Sequence, residues 1–319
     1  MLFSSDNLLV NLFLFCVGLY ALLKGSDLFV DSASALAKRL KVSELVIGLT
    51  VVSMGTSLPE LATNVYASLQ GKDTIAYGNI VGSNITNVML VLGLGTILLG
   101  QIDFPRKLFF RDGLTMLLMT LLTLGSAWFL HGLPRWGGAI YLLLFAVYMF
   151  ILFRNQELPD GDDAPATFAG RGLAFLLLIL ALGLTLVTGG AKAVVDNAIW
   201  LATRLGVSET VVAVTAVALG TSLPELVVTI TGIIKKRSGI AIGNIVGSNI
   251  FNMQLILGVS SLIHPLRVET TMRNFNLPWL LVSDLLLLTF MRTKWKLLRW
   301  EGVILFLGYA IFLWKNFAG

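Results

Sequence analysis

Apolar residues in this chain gather into runs of about twenty, the length a helix needs to cross a bilayer, and short stretches rich in Lys, Arg, Gly and Pro separate them. Reading the runs against that punctuation predicts helices near 8–37, 43–69, 74–99, 108–130, 135–153, 170–202, 208–234, 239–263, 275–291 and 297–315. The predicted fold class is therefore an all-α membrane protein of ten transmembrane helices. Fifteen basic residues fall at 38–41, 106–111, 154, 171, 235–237 and 292–299, whereas the opposite side carries only Lys72, Arg135, Arg204, Arg267, Arg273 and Lys315. This asymmetry predicts a multi-pass protein of the cell (inner) membrane with both termini on the extracytoplasmic side. Trp128, Trp136, Trp200, Trp279, Trp295, Trp300 and Trp314 cluster near span ends and read as interfacial anchors.

Composition agrees with the pattern. The chain is 56% hydrophobic and only 13% charged, with a mean hydropathy of +0.85. The net charge of +5 follows from membrane orientation and does not point to nucleic acid. The single cysteine, Cys16, lies in the first span, and the two histidines, His131 and His264, fall at span ends, so no disulfide framework, soft-metal site or cofactor motif is predicted. The amino-terminal stretch carries Asp6 instead of a basic region, which argues against a cleaved signal peptide. The expected partner is the lipid bilayer, with no obligatory protein partner.

Polar residues inside the apolar runs change the picture. Gly55-Thr56-Ser57-Leu58-Pro59-Glu60 recurs as Gly220-Thr221-Ser222-Leu223-Pro224-Glu225, an offset of 225 − 60 = 165 positions. The same offset pairs Gly78-Asn79-Ile80-Val81-Gly82-Ser83-Asn84 with Gly243-Asn244-Ile245-Val246-Gly247-Ser248-Asn249. The chain is a duplication. An odd number of spans separates the copies, which predicts an inverted-topology repeat: a first five-helix unit at 1–154 with its motif region at 43–99, an acidic linker at 155–168, and a second, inverted unit at 169–319 with its motif region at 208–263. Such repeats place substrate sites at the bilayer midplane, on interrupted helices.

Pro59 and Pro224 lack the amide that would bond the carbonyls of Gly55 and Gly220, so each motif helix is expected to kink or break there. A break at membrane depth frees carbonyls that must be buried or line a wet cavity. Thr56 and Ser57 stand one turn from Glu60, and Thr221 and Ser222 stand likewise from Glu225. Two carboxylates, hydroxyls and carbonyls make an oxygen cage. Its formal charge of −2 suits Ca²⁺, which takes six to eight oxygens, better than Mg²⁺. Ser83 with Asn87, and Ser248 with Asn252, lie at i, i+4 and could complete the cage from neighbouring helices with neutral oxygens suited to monovalent ions. Asn79, Asn84, Asn244 and Asn249 read as interhelical hydrogen-bonding residues and stay outside the core site. Asp31 and Asp196, also repeat-equivalent, read as solvated or paired carboxylates near span ends. Gly78 with Gly82, and Gly243 with Gly247, form small-xxx-small patterns for close helix approach.

These duplicated motifs resemble the two alpha-repeats of the cation/calcium exchanger superfamily, and most closely its short prokaryotic sodium/calcium exchangers. The likeness runs from about Lys24 to Leu99 and from Gly189 to His264. It implies alternating access, with Na⁺ moving inward to drive Ca²⁺ outward, usually three for one. It implies that Glu60 and Glu225 ligate both ions, that Thr56, Ser57, Thr221, Ser222, Ser83 and Ser248 supply ligands, and that Ser53 and Ala218 offer backbone carbonyls. Some relatives place an aspartate where this chain has Asn87 or Asn252, and an acid there is linked to K⁺ dependence, so the asparagines imply K⁺ independence. Proton-coupled relatives resemble G-N-x-x-E in the second motif, where this chain has Gly82 and Gly247. A proton/calcium exchanger on the same fold and a passive cation channel stand as alternatives. An enzyme is disfavoured because no nucleophile, histidine or cofactor motif accompanies the glutamates.

Overall fold

The computed structural model describes residues 7–155, 167–168, 170–205 and 209–318, without side chains at 209–219 and 317–318. The expected acidic linker at 155–168 falls almost wholly outside the described residues.

The helices are α1 (Leu8–Leu40), α2 (Glu44–Thr56), α3 (Leu58–Leu69), α4 (Asp73–Leu99), α5 (Leu108–Phe129), α6 (Arg135–Arg154), α7 (Leu173–Arg204), α8 (Glu209–Ile234), α9 (Ser238–Ile263), α10 (Met272–Lys294) and α11 (Arg299–Ala318). Seven of them, α1, α4, α5, α6, α7, α9 and α10, are long and apolar enough to cross a membrane, and α2 with α3 forms a bent pair that makes an eighth. The molecule is a multi-pass membrane protein. Large apolar side chains such as Phe13, Leu143, Phe150 and Leu178 are exposed, as a lipid-facing surface requires.

Local sequence sets the helix ends. Asn7 caps α1 by accepting from the Leu9 amide at 2.9 Å, and the helix closes at Lys41 in a left-handed turn (φ 58°) with Lys38 and Arg39 over its negative end. Ser43 caps α2 by accepting from the Val46 amide at 3.3 Å. Between α2 and α3 the axis bends by 48°, with Ser57 at the break and Pro59 in the first turn of α3. The break expected at Pro59 is therefore present. At Pro224, where a kink or a break was expected, α8 runs through the proline without a break. A proline removes one helical hydrogen bond, and a helix held by its neighbours can absorb that loss as a distortion.

Two kinds of packing hold the bundle. In the first, α1 and α7 touch backbone to backbone at Gly18, Gly25, Gly183 and Gly190: a Cβ at Gly183 would lie 2.7 Å from the Phe29 amide nitrogen, and one at Gly25 would lie 2.9 Å from the Gly183 carbonyl oxygen. These glycines are themselves related by the 165-residue offset. In the second, α9 presses on α2, where a Cβ at Gly243 would sit 2.7 Å from the Leu45 carbonyl oxygen and one at Gly247 would sit 2.7 Å from that of Leu49. The small-xxx-small pattern at Gly243 and Gly247 thus does what was expected of it. The most apolar window of α9 is 94% buried and that of α4 is 78% buried, against 22% for α1 and for α7, so the motif helices form the centre and α1 with α7 the flank.

Short antiparallel strands tie the span ends: β1 (Gln101–Asp103) pairs with β4 (Lys296–Leu298), and β2 (Gly132–Leu133) pairs with β3 (Leu266–Arg267). Wide, π-type turns interrupt α4 at Thr86–Leu92 and α9 at Asn252–Ile256, and open α5 at Leu108–Gly113 and α10 at Met272–Asn276. Each pair of turns again sits at matching repeat positions. Such turns misalign backbone groups and are frequent at functional sites.

Candidate ion-binding site

The bent pair and the two central helices bring the duplicated motifs together. Glu60, at the start of α3, and Glu225, within α8, are both fully buried. Ser83 Oγ donates to Glu60 Oε1 at 3.2 Å, and Ser57 Oγ donates to Glu225 Oε1 at 3.1 Å. Ser83 Oγ also meets Ser222 Oγ at 2.9 Å. Hydroxyls from one half therefore reach the carboxylate or hydroxyl of the other.

The asparagines organise this centre from outside. Asn79 Nδ2 donates to Asn64 Oδ1 at 2.6 Å and to the Glu60 carbonyl at 3.4 Å, while its Oδ1 accepts from Thr221 Oγ1 at 3.3 Å. Asn244 repeats the arrangement, donating to Thr229 Oγ1 at 3.0 Å and to the Glu225 carbonyl at 3.3 Å, and accepting from Thr56 Oγ1 at 2.9 Å. Each asparagine fixes the backbone of its own motif glutamate and the threonine of the other motif. This is the interhelical role expected of them. Sequence reading missed Asn64 and Thr229, although the signal was available: both are polar positions within apolar helices, and they are 229 − 64 = 165 residues apart.

A second symmetric set lies deeper along α4 and α9. Asn84 and Asn249 donate to each other's backbone carbonyls at 3.2 and 3.3 Å. Asn87 Nδ2 donates to Asn249 Oδ1 at 3.0 Å, and Asn252 Nδ2 donates to Asn84 Oδ1 at 2.9 Å. The amide orientation of Asn87 and Asn252 is thereby set, with their nitrogens consumed. Among the described residues, four fully buried oxygens here have no hydrogen-bond donor: Glu60 Oε2, Glu225 Oε2, Asn87 Oδ1 and Asn252 Oδ1. Leaving so many buried acceptors unpaired costs several kcal/mol together, at about 1–3 kcal/mol each. Unpaired oxygens in repeat-equivalent pairs are what a cation-binding centre presents.

The other sequence-predicted residues are placed unevenly. The Ser53 carbonyl points toward the same region, accepting from Thr56 Oγ1 at 3.3 Å and Ser248 Oγ at 3.5 Å. Ser248 thus turns to a backbone carbonyl, where its counterpart Ser83 turns to a glutamate. Ala218 lies in the part of α8 whose side chains are outside the described residues. No charged group pairs with either glutamate among the described residues. Beside the centre, a cavity of about 530 Å³ is lined by Pro59, Thr63, Thr188, Lys192, Asp196, Thr221 and Pro224. Thr221, Pro59 and Pro224 of the two motifs lie on its wall. Asp196, expected to be paired, meets Lys192 at 3.4 Å on that wall, and Asp31 meets Lys235 at 2.9 Å at the other end of the bundle.

Known proteins share this arrangement. The family model "Sodium/calcium exchanger protein" matches residues 10–154 and 175–318. The chain is 38% identical to sodium/calcium exchanger MaX1 of Methanosarcina acetivorans, over 95% of this chain and 97% of that protein. It is 35% identical to inner membrane protein YrbG of Escherichia coli, over 94% of each. Its fold superposes on the sodium-calcium exchanger NCX_Mj, soaked with 2.5 mM Na⁺ and 0.1 mM Ca²⁺, with a TM-score of 0.82 at 34% identity, covering 95% of this chain and 97% of that one. Repeated motifs, a buried pair of glutamates and likeness along almost the whole chain place this protein in the sodium/calcium exchanger family.

Proposed function

We propose that the protein is an antiporter that carries Na⁺ inward and Ca²⁺ outward by alternating access, with its ten spans arranged as inverted five-helix repeats at 1–154 and 169–319. The observation that carries this reading is the set of four buried, donor-free oxygens on Glu60, Glu225, Asn87 and Asn252, with the hydroxyls of Ser57, Ser83 and Ser222 beside them. Thr56, Thr221, Ser248 and the carbonyls of Ser53 and Ala218 are the remaining ligands in this proposal.

Electrostatics explains why such a site exchanges and does not leak. Two ionised carboxylates in a low-dielectric interior repel each other, and each costs about 2.5–3.5 kcal/mol at the bilayer centre on insertion scales. Occlusion of the bare site is therefore disfavoured. One Ca²⁺ neutralises the formal charge of −2, and Na⁺ ions sharing the carboxylates and amide oxygens do the same. Only the loaded site can close and reopen on the other side, so ions cross in exchange for one another.

Three Na⁺ against one Ca²⁺ moves one net charge, worth about 2.3 kcal/mol per 100 mV, so transport is electrogenic. Amides at Asn87 and Asn252, in place of carboxylates, support exchange without K⁺. The positive-inside bias supports a cell-membrane location with both termini outside the cytoplasm.

The test is ⁴⁵Ca²⁺ uptake by proteoliposomes loaded with Na⁺ and diluted into Na⁺-free buffer, beside K⁺-loaded and acid-loaded vesicles. Uptake that needs internal Na⁺ and falls to background in Glu60→Gln and in Glu225→Gln is the expected result. Uptake driven by the acid gradient alone assigns proton coupling instead, and equilibration without a gradient makes the protein a channel.

A further inference from the structure

The motif glutamates are not the only carboxylates buried at membrane depth. Asp284 stands in the middle of α10, within Val282-Ser283-Asp284-Leu285-Leu286, and is fully buried. Thr120 Oγ1, in the middle of α5, donates to its Oδ2 at 2.6 Å, and its Oδ1 has no hydrogen-bond partner. No lysine or arginine lies within ion-pair distance among the described residues. Among the described residues, several charged and titratable groups on the helices packed against α10 are engaged elsewhere. Arg111 and Asp112 of α5 pair at 2.8 Å, Glu301 of α11 accepts from the Leu298 amide at 2.7 Å, and Tyr309 of α11 meets Thr86 at 3.2 Å. Tyr77 of α4 is buried without a hydrogen-bond partner.

An intramembrane acid without a counter-charge is costly unless it performs a task or carries a proton. The ligand set decides which ion it takes. Thr120 presents its hydrogen to the carboxylate, so the cluster offers a metal ion little beyond one carboxyl group, far from the six to eight oxygens that Ca²⁺ requires. A proton needs no further ligands. Further hydroxyls stand on the same face of α5 at i, i+3 spacing, and each is held locally: Thr123 Oγ1 donates to the Met119 carbonyl at 2.8 Å and meets Tyr141 OH of α6 at 2.9 Å, and Ser126 donates to the Thr123 carbonyl at 2.9 Å. Ser126 and Tyr141 line a cavity of about 370 Å³ at the end of α5 away from the basic 106–111 segment.

We propose that Asp284 is a proton-binding site, distinct from the Glu60–Glu225 centre, with Thr120 as its hydrogen-bond donor, and that its occupancy makes ion exchange pH-dependent. The reaction is a simple association: one proton joins Oδ1 of the carboxylate and leaves it unchanged on release. Protonation removes the buried charge at low pH, and loss of the proton restores it as pH rises. The link to exchange rests on the antiporter reading, whereas the proton site itself does not.

The site is tested by infrared difference spectroscopy of the purified protein in lipid, stepped in pH, in the Glu60→Gln/Glu225→Gln background that removes the motif carboxyls. A protonated-carboxyl C=O band that fades as pH rises, is lost in Asp284→Asn, persists in Asp284→Glu and shifts in Thr120→Val is the expected result. A spectrum unchanged by Asp284→Asn, or a band that does not respond to pH, overturns the proposal. In the chain with both motif glutamates intact, Asp284→Asn is expected to remove one limb of the pH profile of ⁴⁵Ca²⁺ uptake, and a profile that keeps its wild-type shape overturns the coupling to exchange. Because the infrared readout does not need transport, failure of the antiporter reading leaves the proton site separately decided.

Discussion

Among the described residues, equivalent positions of the two halves line a cavity at one end of the bundle and include fully buried side chains at the other. Around the second motif, Lys192, Val195, Asp196, Gly220 and Thr221 border the cavity of about 530 Å³. Subtracting 165 gives Asp27, Val30, Asp31, Gly55 and Thr56, where Val30 and Thr56 are fully buried. Ion pairs brace the closed end. Lys235, just past the end of α8, reaches Asp31 at 2.9 Å and Asp27 at 3.2 Å, while Arg237 meets the buried Glu44 at 3.0 Å, with Ser34 donating to the same carboxylate. Ser26 and Thr231 hydrogen-bond across the same seam. The position matching Lys235 in the first half is the neutral Gln70. Near-identical motifs thus sit in unlike surroundings, and the charges that differ lie outside the motifs.

The sharpest way to break this comparison is thiol accessibility. With the exposed Cys16 replaced by Ser, Val195→Cys on the cavity wall is expected to react with a membrane-impermeant maleimide, and its counterpart Val30→Cys is expected to stay unlabelled. Equal labelling would mean the two ends are equally open. Next in size is Arg237→Ala, which strands Glu44 in a buried position and should lower stability by about 3–5 kcal/mol. A thermal melt in detergent reads the loss, and adding Glu44→Gln should recover part of it. Lys235→Ala has the smallest effect on stability, about 1 kcal/mol or less, because the pair is partly exposed. Its informative consequence is on access: with Asp27 and Asp31 released, Val30→Cys should begin to label. If it stays unlabelled, packing at the closed end, and not the ion pairs, keeps it shut.

Much of the site was legible before any coordinates. The 165-residue offset marked Glu60, Glu225, Ser83 and Ser248 as equivalents, and the structure buries all four. The two serines differ in partner, Ser83 donating to Glu60 and Ser248 to the Ser53 carbonyl, where Gly247 lets α9 approach α2 closely. Asn87 and Asn252 were readable as candidates. That their nitrogens would be spent on Asn249 and Asn84, leaving only oxygen for an ion, depended on the pairing of α4 with α9. Asp284 was visible as a lone acid in an apolar run and was passed over because it belongs to neither motif. Pro224 differs from Pro59: a kink or a break was expected at both, and the helix breaks beside Pro59 but continues through Pro224.

By itself the sequence determined the helical, membrane-spanning class, the duplication and the oxygen-rich, acidic character of its motifs, since these follow from local periodicity and from the high cost of polar groups in lipid. Only the tertiary structure decided which motif positions border a cavity, which oxygens are left without donors among the described residues and which side chain faces Asp284. Those outcomes depend on contacts between helices far apart in the chain, and two packings of one sequence can differ by only a few kcal/mol, so no local pattern selects between them.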